Sequence, residues 1–139
     1  MTMSSMKIFD ITASALSAQS QRLNLVASNM ANADSVSSSM GETYRSRQPV
    51  FKAVFNRMNP GGQAAGVRML GVVESKAPLQ QEYAPDHPLA NEQGYIFRPN
   101  VNMVEEMANM ISASRSYQSN VEVANAARQM MMGLLRLGQ

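Results

Sequence analysis

Read at helical spacing, the two ends of the chain share one design. Positions 103, 107, 110, 114, 117, 121, 124, 128, 131 and 135 alternate in steps of four and three. They hold Met103, Met107, Met110, Ser114, Tyr117, Val121, Ala124, Arg128, Met131 and Leu135. Eight of these ten are apolar or aromatic, the seam of a long helix that packs on another helix. The start is marked by Asn102, set to cap as Asn102-x-x-Glu105, its side chain taking an orphan N–H while Glu105 reaches back. Pro99 lies just upstream and no Gly or Pro follows until Gly133. Glu105 and Glu106 in the first turn and Arg128 and Arg136 near the end suit the helix dipole. A helix from Met103 to Arg136 would be a rod roughly 50 Å long. That exceeds what a compact domain of this size needs, so it asks for a partner.

The first helix is expected from Lys7 to about Ala33, with Ser4 or Ser5 as cap. Phe9, Thr12, Leu16, Gln19, Leu23, Val26 and Met30 repeat the 4-3 spacing, five of the seven apolar. Its other faces carry only Lys7, Asp10 and Arg22 as charges, the rest being Ser, Ala, Gln, Asn and Thr. A helix with one face in water normally carries more charge, about a quarter to a third of its surface. Small neutral polar residues suit a helix that meets protein on several sides, where unpaired charge is costly to desolvate.

Twelve of the fourteen Gly and Pro residues fall within 41–99, so the middle cannot be mainly helical. After a loop over Asp34–Ser39, extended segments are expected at Thr43–Gln48 and Val50–Asn56, parted by Pro49. Asn59-Pro60-Gly61-Gly62 reads as a turn, Val67–Glu74 as a half-buried strand and Lys76–Tyr83 as extended around Pro78. Pro85-Asp86-His87-Pro88 reads as a turn and Gly94–Arg98 as the last strand. The expected fold is mainly α. Long N- and C-terminal helices form a coiled-coil pair, with a small β-rich or irregular module inserted between them and sitting outside it. The divisions are 1–36, 37–99 and 100–139, together one discontinuous structural unit.

Composition changes this picture little. The 45% apolar content is ordinary, but only 6% is aromatic, Trp is absent and thirteen Met stand in for larger hydrophobes. Met fills irregular gaps, which suits adaptable subunit contacts as well as a Met-rich core. With no Cys, disulfides, zinc ribbons and thiol catalysis are excluded. The first ten residues have no apolar h-region, so no secretory signal peptide is expected, and no run approaches the ~20 apolar residues of a membrane span.

Candidate chemistry is sparse. His87 is the only histidine and lies in a turn; a lone His without a second ligand or an activated nucleophile reads as a surface residue. Glu105 and Glu106 are adjacent, point apart on a helix and cannot work as an acid/base pair; capping and dipole roles suffice for them. Gly61-Gly62 lacks the Lys-Ser/Thr of a phosphate cradle. No enzyme, cofactor, metal or small-molecule substrate is expected. Arg45, Arg47, Lys52 and Arg57 are interleaved with Tyr44, Phe51 and Phe55, the best case for nucleic acid. The shared strand face of the two Phe and the nearby Glu42, Glu74 and Glu82 argue against it, as does a net charge of only +2.

Several words of the sequence point to a family. Phe9-Asp10-Ile11, Ser14 to Ser20, Arg22-Leu23-Asn24 and Ala27 to Asp34 resemble the N-terminal region of bacterial flagellar axial proteins, above all the basal-body proximal rod proteins of the FlgC type. Tyr44-Arg45-Ser46-Arg47-Gln48, Val50-Phe51, His87-Pro88-Leu89-Ala90 and Gly94-Tyr95 follow in the same order. So do Pro99 to Asn102, Val104 to Met107, Ser112 to Gln118, Asn120 to Val123 and the ending Leu137-Gly138-Gln139. The resemblance covers almost the whole chain and is weakest over Met58–Pro85. The Ser-rich stretch Ser35–Met40 departs from the Thr-Pro-Gly turn of many axial proteins.

The resemblance implies a structural subunit of the flagellar basal-body rod in the periplasm. It would be exported unfolded by the flagellar type III apparatus and polymerise through its terminal helices into the helical drive shaft that transmits torque. The implied partners are other rod subunits, copies of itself and the export apparatus, with no nucleic acid, small-molecule substrate or direct membrane span. The assembly seam would comprise Phe9, Leu16, Leu23, Val26, Met30, Met103, Met107, Met110, Tyr117, Val121, Ala124, Met131 and Leu135. Ile8, Phe9 and Ile11 are candidates for export recognition. A two-helix seam alone buries little, so the two terminal helical segments are expected to be largely disordered in the isolated monomer and to order on assembly. The competing class is a stand-alone coiled-coil adaptor or secretion chaperone in the cytoplasm, which would carry charged outer helix faces.

Overall fold

The computed structural model describes residues 2–55 and 64–137. The expected turn at Asn59–Gly62 and the ending Gly138-Gln139 lie outside the described residues. Helix α1 spans Thr2–Ala31 and helix α2 spans Met103–Leu137, 30 and 35 residues long. Because α1 already begins at Thr2, Ser4 and Ser5 lie within it rather than at its cap. At the start of α2, Asn102 Oδ1 accepts the backbone N–H of Val104 at 3.1 Å and of Glu105 at 3.3 Å. These are two donors that the helix itself cannot satisfy.

Between the helices lie four strands in two antiparallel pairs. Strand β1 (Arg47–Phe55) pairs with β2 (Ala64–Glu74) in a long hairpin, and β3 (Gln80–Tyr83) pairs with β4 (Tyr95–Arg98) in a small sheet. β1 runs straight through Pro49, which sequence reasoning took as a break. In a two-stranded sheet every strand is an edge, so a residue without an N–H is tolerated. The register slips between Val50 and Phe51, next to Pro49, and again between Val54 and Phe55.

The expectation of a mainly α, coiled-coil protein is corrected on two counts. Strands of nine, eleven, four and four residues stand beside the helices, so the chain is α plus β. The hairpin also packs on α1 through both of its strands, rather than standing outside the helix pair. An isolated two-stranded hairpin is marginal in water, so a helix face supplies what a third strand would. Gly66 makes the approach possible: its φ of +148° and the absence of a Cβ leave room for Ser14, whose Oγ would sit 2.6 Å from an added methyl. That Oγ accepts the N–H of Val67 at 3.1 Å and donates to Ile11 O at 2.7 Å, stapling β2 to the helix.

The helices run antiparallel, since Asn29 meets Glu106 while the earlier Arg22 meets the later Asn109. The side of α2 that is buried is not its most apolar one. Glu106, Ala113 and Ala127 are buried, Ala113 completely, and Asn109, Ser116 and Asn120 are half-buried. Small and polar side chains let the backbones come close, but they are not the large interlocking residues of a coiled coil. On α1, Thr12, Ala18, Val26 and Asn29 are buried. The small sheet is centred on buried Ile96 and Phe97 and tied to the loop after α1 by paired backbone bonds between Ser37 and Phe97.

Candidate interaction site at the helix junction

Where the start of α2 crosses the end of α1, four separated stretches of sequence meet in one polar node. Asn29 is at its centre, 1% exposed. Its Oδ1 accepts the N–H of Arg47 at 2.9 Å and the hydroxyl of Tyr44 at 2.8 Å. Its Nδ2 donates to Arg47 O and to Glu106 Oε1, both at 2.9 Å. Ser46 donates more weakly to the same carboxylate oxygen, at 3.4 Å. Asn100 completes the node from the other side. Its Oδ1 accepts Ser46 N–H at 2.8 Å, and its Nδ2 donates to Ala77 O at 2.8 Å and Ser75 O at 3.3 Å. One asparagine thus ties α1 to β1 and α2, and a second ties the residue just before β1 to the segment after β2.

Glu106 is a carboxylate with only 5% exposure and no Lys or Arg nitrogen within 4 Å among the described residues. Burial raises its pKa above the usual carboxylate value, the bonds from Asn29 and Ser46 pull it back, and neighbouring Glu105 raises it further. It borders an open groove of about 350 Å³, lined also by Arg22, Arg47, Phe51 and Asn109. Sequence reasoning gave Glu106 only capping and dipole roles, met Tyr44 only in the basic stretch weighed for nucleic acid, and gave Asn29, Ser46 and Asn100 no role of their own. The signal that points to Asn29 is the neutral polarity of the first helix, which is unusual beside an apolar seam.

The thirteen seam positions fall into two groups. Phe9, Leu16, Leu23, Val26 and Met30 on α1 are buried or half-buried. On α2, Met110, Ala124 and Met131 are half-buried, whereas Met103, Met107, Tyr117, Val121 and Leu135 are exposed, Leu135 by 72%. The column that meets α1 is 106, 113, 120 and 127; the column 107, 114, 121 and 128 lies one position on, about 100° round the helix. Val104 and Ile111 extend this outward apolar surface, at 76% and 55% exposure. Of the export candidates, Ile8 and Ile11 are exposed and Phe9 is half-buried.

Little points to chemistry. Among the described residues no three His, Asp or Glu side chains gather as a metal site. His87 Nδ1 accepts the N–H of Leu89 in its turn. No helix is long and apolar enough to cross a membrane. The ion pairs Arg47–Glu74 and Arg98–Glu82, at 3.5 and 2.7 Å, are surface pairs of small energetic weight.

Comparison with known proteins points to a structural role. The profile described as flagella basal body rod protein matches residues 9–37, and that described as flagellar basal body rod FlgEFG protein C-terminal matches residues 92–137. Asn29, Asn100 and Glu106 of the node fall within those two ranges. Over 137 residues the chain is 52% identical to the flagellar basal-body rod protein FlgC of Escherichia coli O6:H1, covering 99% of this chain and 100% of that one. The FlgC of Yersinia enterocolitica is 51% identical over the same span. That of Bacillus subtilis is 34% identical over 143 residues, covering 94% of this chain and 95% of that one.

Proposed function

The chain belongs to the FlgC-type flagellar basal-body rod proteins, and from that premise we propose that it polymerises through the outward faces of its two helices. It is a structural subunit of the basal-body rod, it resides there, and it interacts with other rod components. That membership displaces the cytoplasmic adaptor as an alternative.

One observation carries the assembly reading. The large apolar residues of α2, Met107, Ile111, Val121 and Leu135 among them, point away from α1 and stay exposed in the isolated chain. Each such side chain is worth about 1.5–3 kcal/mol when fully buried. A helix that presents small residues to its own partner and large ones outward is built to receive other subunits. Contacts that do not close on themselves then give a filament rather than a ring, and a stiff one transmits torque. Export through the type III apparatus in unfolded form, with Ile8, Phe9 and Ile11 as recognition candidates, fits a rod that crosses the periplasm. The far ends of the two helices, lightly packed in the monomer, would order on incorporation.

The test replaces Met107 and Ile111 together by Asp. Both are exposed, so unfolding of the purified chain should shift by no more than about 1 kcal/mol for the two together. The variant should nevertheless vanish from detergent-resistant basal bodies. A variant that pellets with them at the wild-type level overturns the proposal.

A further inference from the structure

Apart from Glu74 at the end of β2 and Arg98 at the end of β4, charge is segregated between the two sheets. From Arg47 to Val73 the sequence holds Arg47, Lys52, Arg57 and Arg68 and no Asp or Glu; from Ala77 to Phe97 it holds Glu82, Asp86 and Glu92 and no Lys or Arg. Within the chain, Arg47 is taken by Glu74 and Glu82 by Arg98. Lys52 and Arg68 remain on the hairpin and Asp86 and Glu92 on the loop of the small sheet, all four exposed and none within 4 Å of an opposite charge among the described residues.

Lys52 and Arg68 are also direct cross-strand partners. Like charges placed opposite each other weaken a sheet, so the hairpin carries a cost that no opposite charge among the described residues relieves. The two sheets do not pack on each other, so the acidic loop does not neutralise the hairpin internally. Each charged pair lies beside exposed apolar groups: Val54 and Leu70 on the hairpin, Tyr83 and Leu89 by the loop.

We propose that the hairpin face bearing Lys52 and Arg68 docks on the loop bearing Asp86 and Glu92 of a second copy of this chain. The two patches are opposite in sign and equal in number, each with apolar flanks, yet belong to different sheets. The contact is therefore head-to-tail and propagates from copy to copy. It rests on the rod-subunit reading and adds to it a contact outside the helices, one that sets which neighbour is accepted and in what register.

The chain has no native cysteine, so thiol cross-linking is clean. Cells carry two differently tagged copies, one with Lys52→Cys and the other with Glu92→Cys, and isolated basal bodies are treated with a short thiol-to-thiol cross-linker. The expected product is a mixed dimer holding both tags. In parallel, K52E with R68E should lower the amount of chain in basal bodies about tenfold, as should D86K with E92K, while all four substitutions together restore it. Basal bodies that contain the chain but give no mixed dimer overturn the proposal. So does a fourfold variant no better than either pair, or a Lys52→Cys chain linked only to a different protein. If the unmodified chain does not co-purify with basal bodies, the rod-subunit reading itself falls and this contact with it.

Discussion

Replacing Asn29 by Ala tests the node directly. Truncation removes the two short bonds donated by Nδ2, to Arg47 O and Glu106 Oε1, and the two accepted by Oδ1, from Arg47 N–H and the Tyr44 hydroxyl. Tyr44 loses least, since it is half-exposed and still has Ser28 Oγ at 3.3 Å. The N–H and carbonyl of Arg47 and one oxygen of Glu106 are left short of partners, with only the long Ser46 bond remaining to the carboxylate. A buried group left unsatisfied costs about 1–3 kcal/mol; because Arg47, which supplies two of the three, is an exposed residue, the low end applies to each and a loss of about 3–4 kcal/mol is predicted. That is a large fraction of a small domain's stability. Asn29→Asp should be worse than Ala at pH 7, because a second carboxylate would face Glu106, and should recover on acidification. The assay is urea unfolding of the purified chain, followed by circular dichroism and extrapolated to water. A loss below about 1 kcal/mol for N29A would mean that water replaces the missing partner freely, and the node would not be the rivet described here.

Three further outcomes follow from the same geometry. Because Glu106 titrates above its ordinary value in the folded chain, the folded state holds its proton longer than the unfolded one; its contribution to stability should be fully present below the unfolded-state pKa and be lost as pH rises through the raised one. Glu106→Gln should flatten that slope in unfolding measurements across pH, and an unchanged slope would assign it to other groups. Gly66→Ala places a methyl against Ser14 Oγ in a backbone conformation that side chains avoid, so a loss of about 1–3 kcal/mol is expected, with faster hydrogen exchange at the Val67 amide. Ala113→Leu forces a large side chain into the fully buried interhelical position and should cost about 1–3 kcal/mol, whereas unaltered unfolding would show that the helices are not in close contact there.

The extent of the two helices was legible because Gly and Pro are confined to the middle and Asn102 marks a start. The path of α2 against α1 was not. Periodicity finds the most apolar stripe, and on α2 much of that stripe faces outward, with Met110, Ala124 and Met131 half-buried, while Glu106, Ala113, Asn120 and Ala127 face the partner helix. Helical spacing cannot tell a face covered within the chain from one left for a neighbour. The hairpin was misjudged for a local reason, since Pro49 reads as a break unless its strand is known to be an edge. Most of the node was illegible because its members are ordinary polar residues whose meaning lies in long-range pairing, as with Asn29 and Glu106, 77 positions apart.

The antiparallel pairing has a practical corollary. From the node, α1 runs back to Thr2 and α2 runs on to Leu137 in the same direction, so both tips of the polypeptide project together, some 40 Å away. A fluorescent or affinity label fused at either end would therefore crowd the same region of the tube. The turn around Ser38 and Gly41, exposed at the opposite end of the pair, offers a reporter somewhere else to hang.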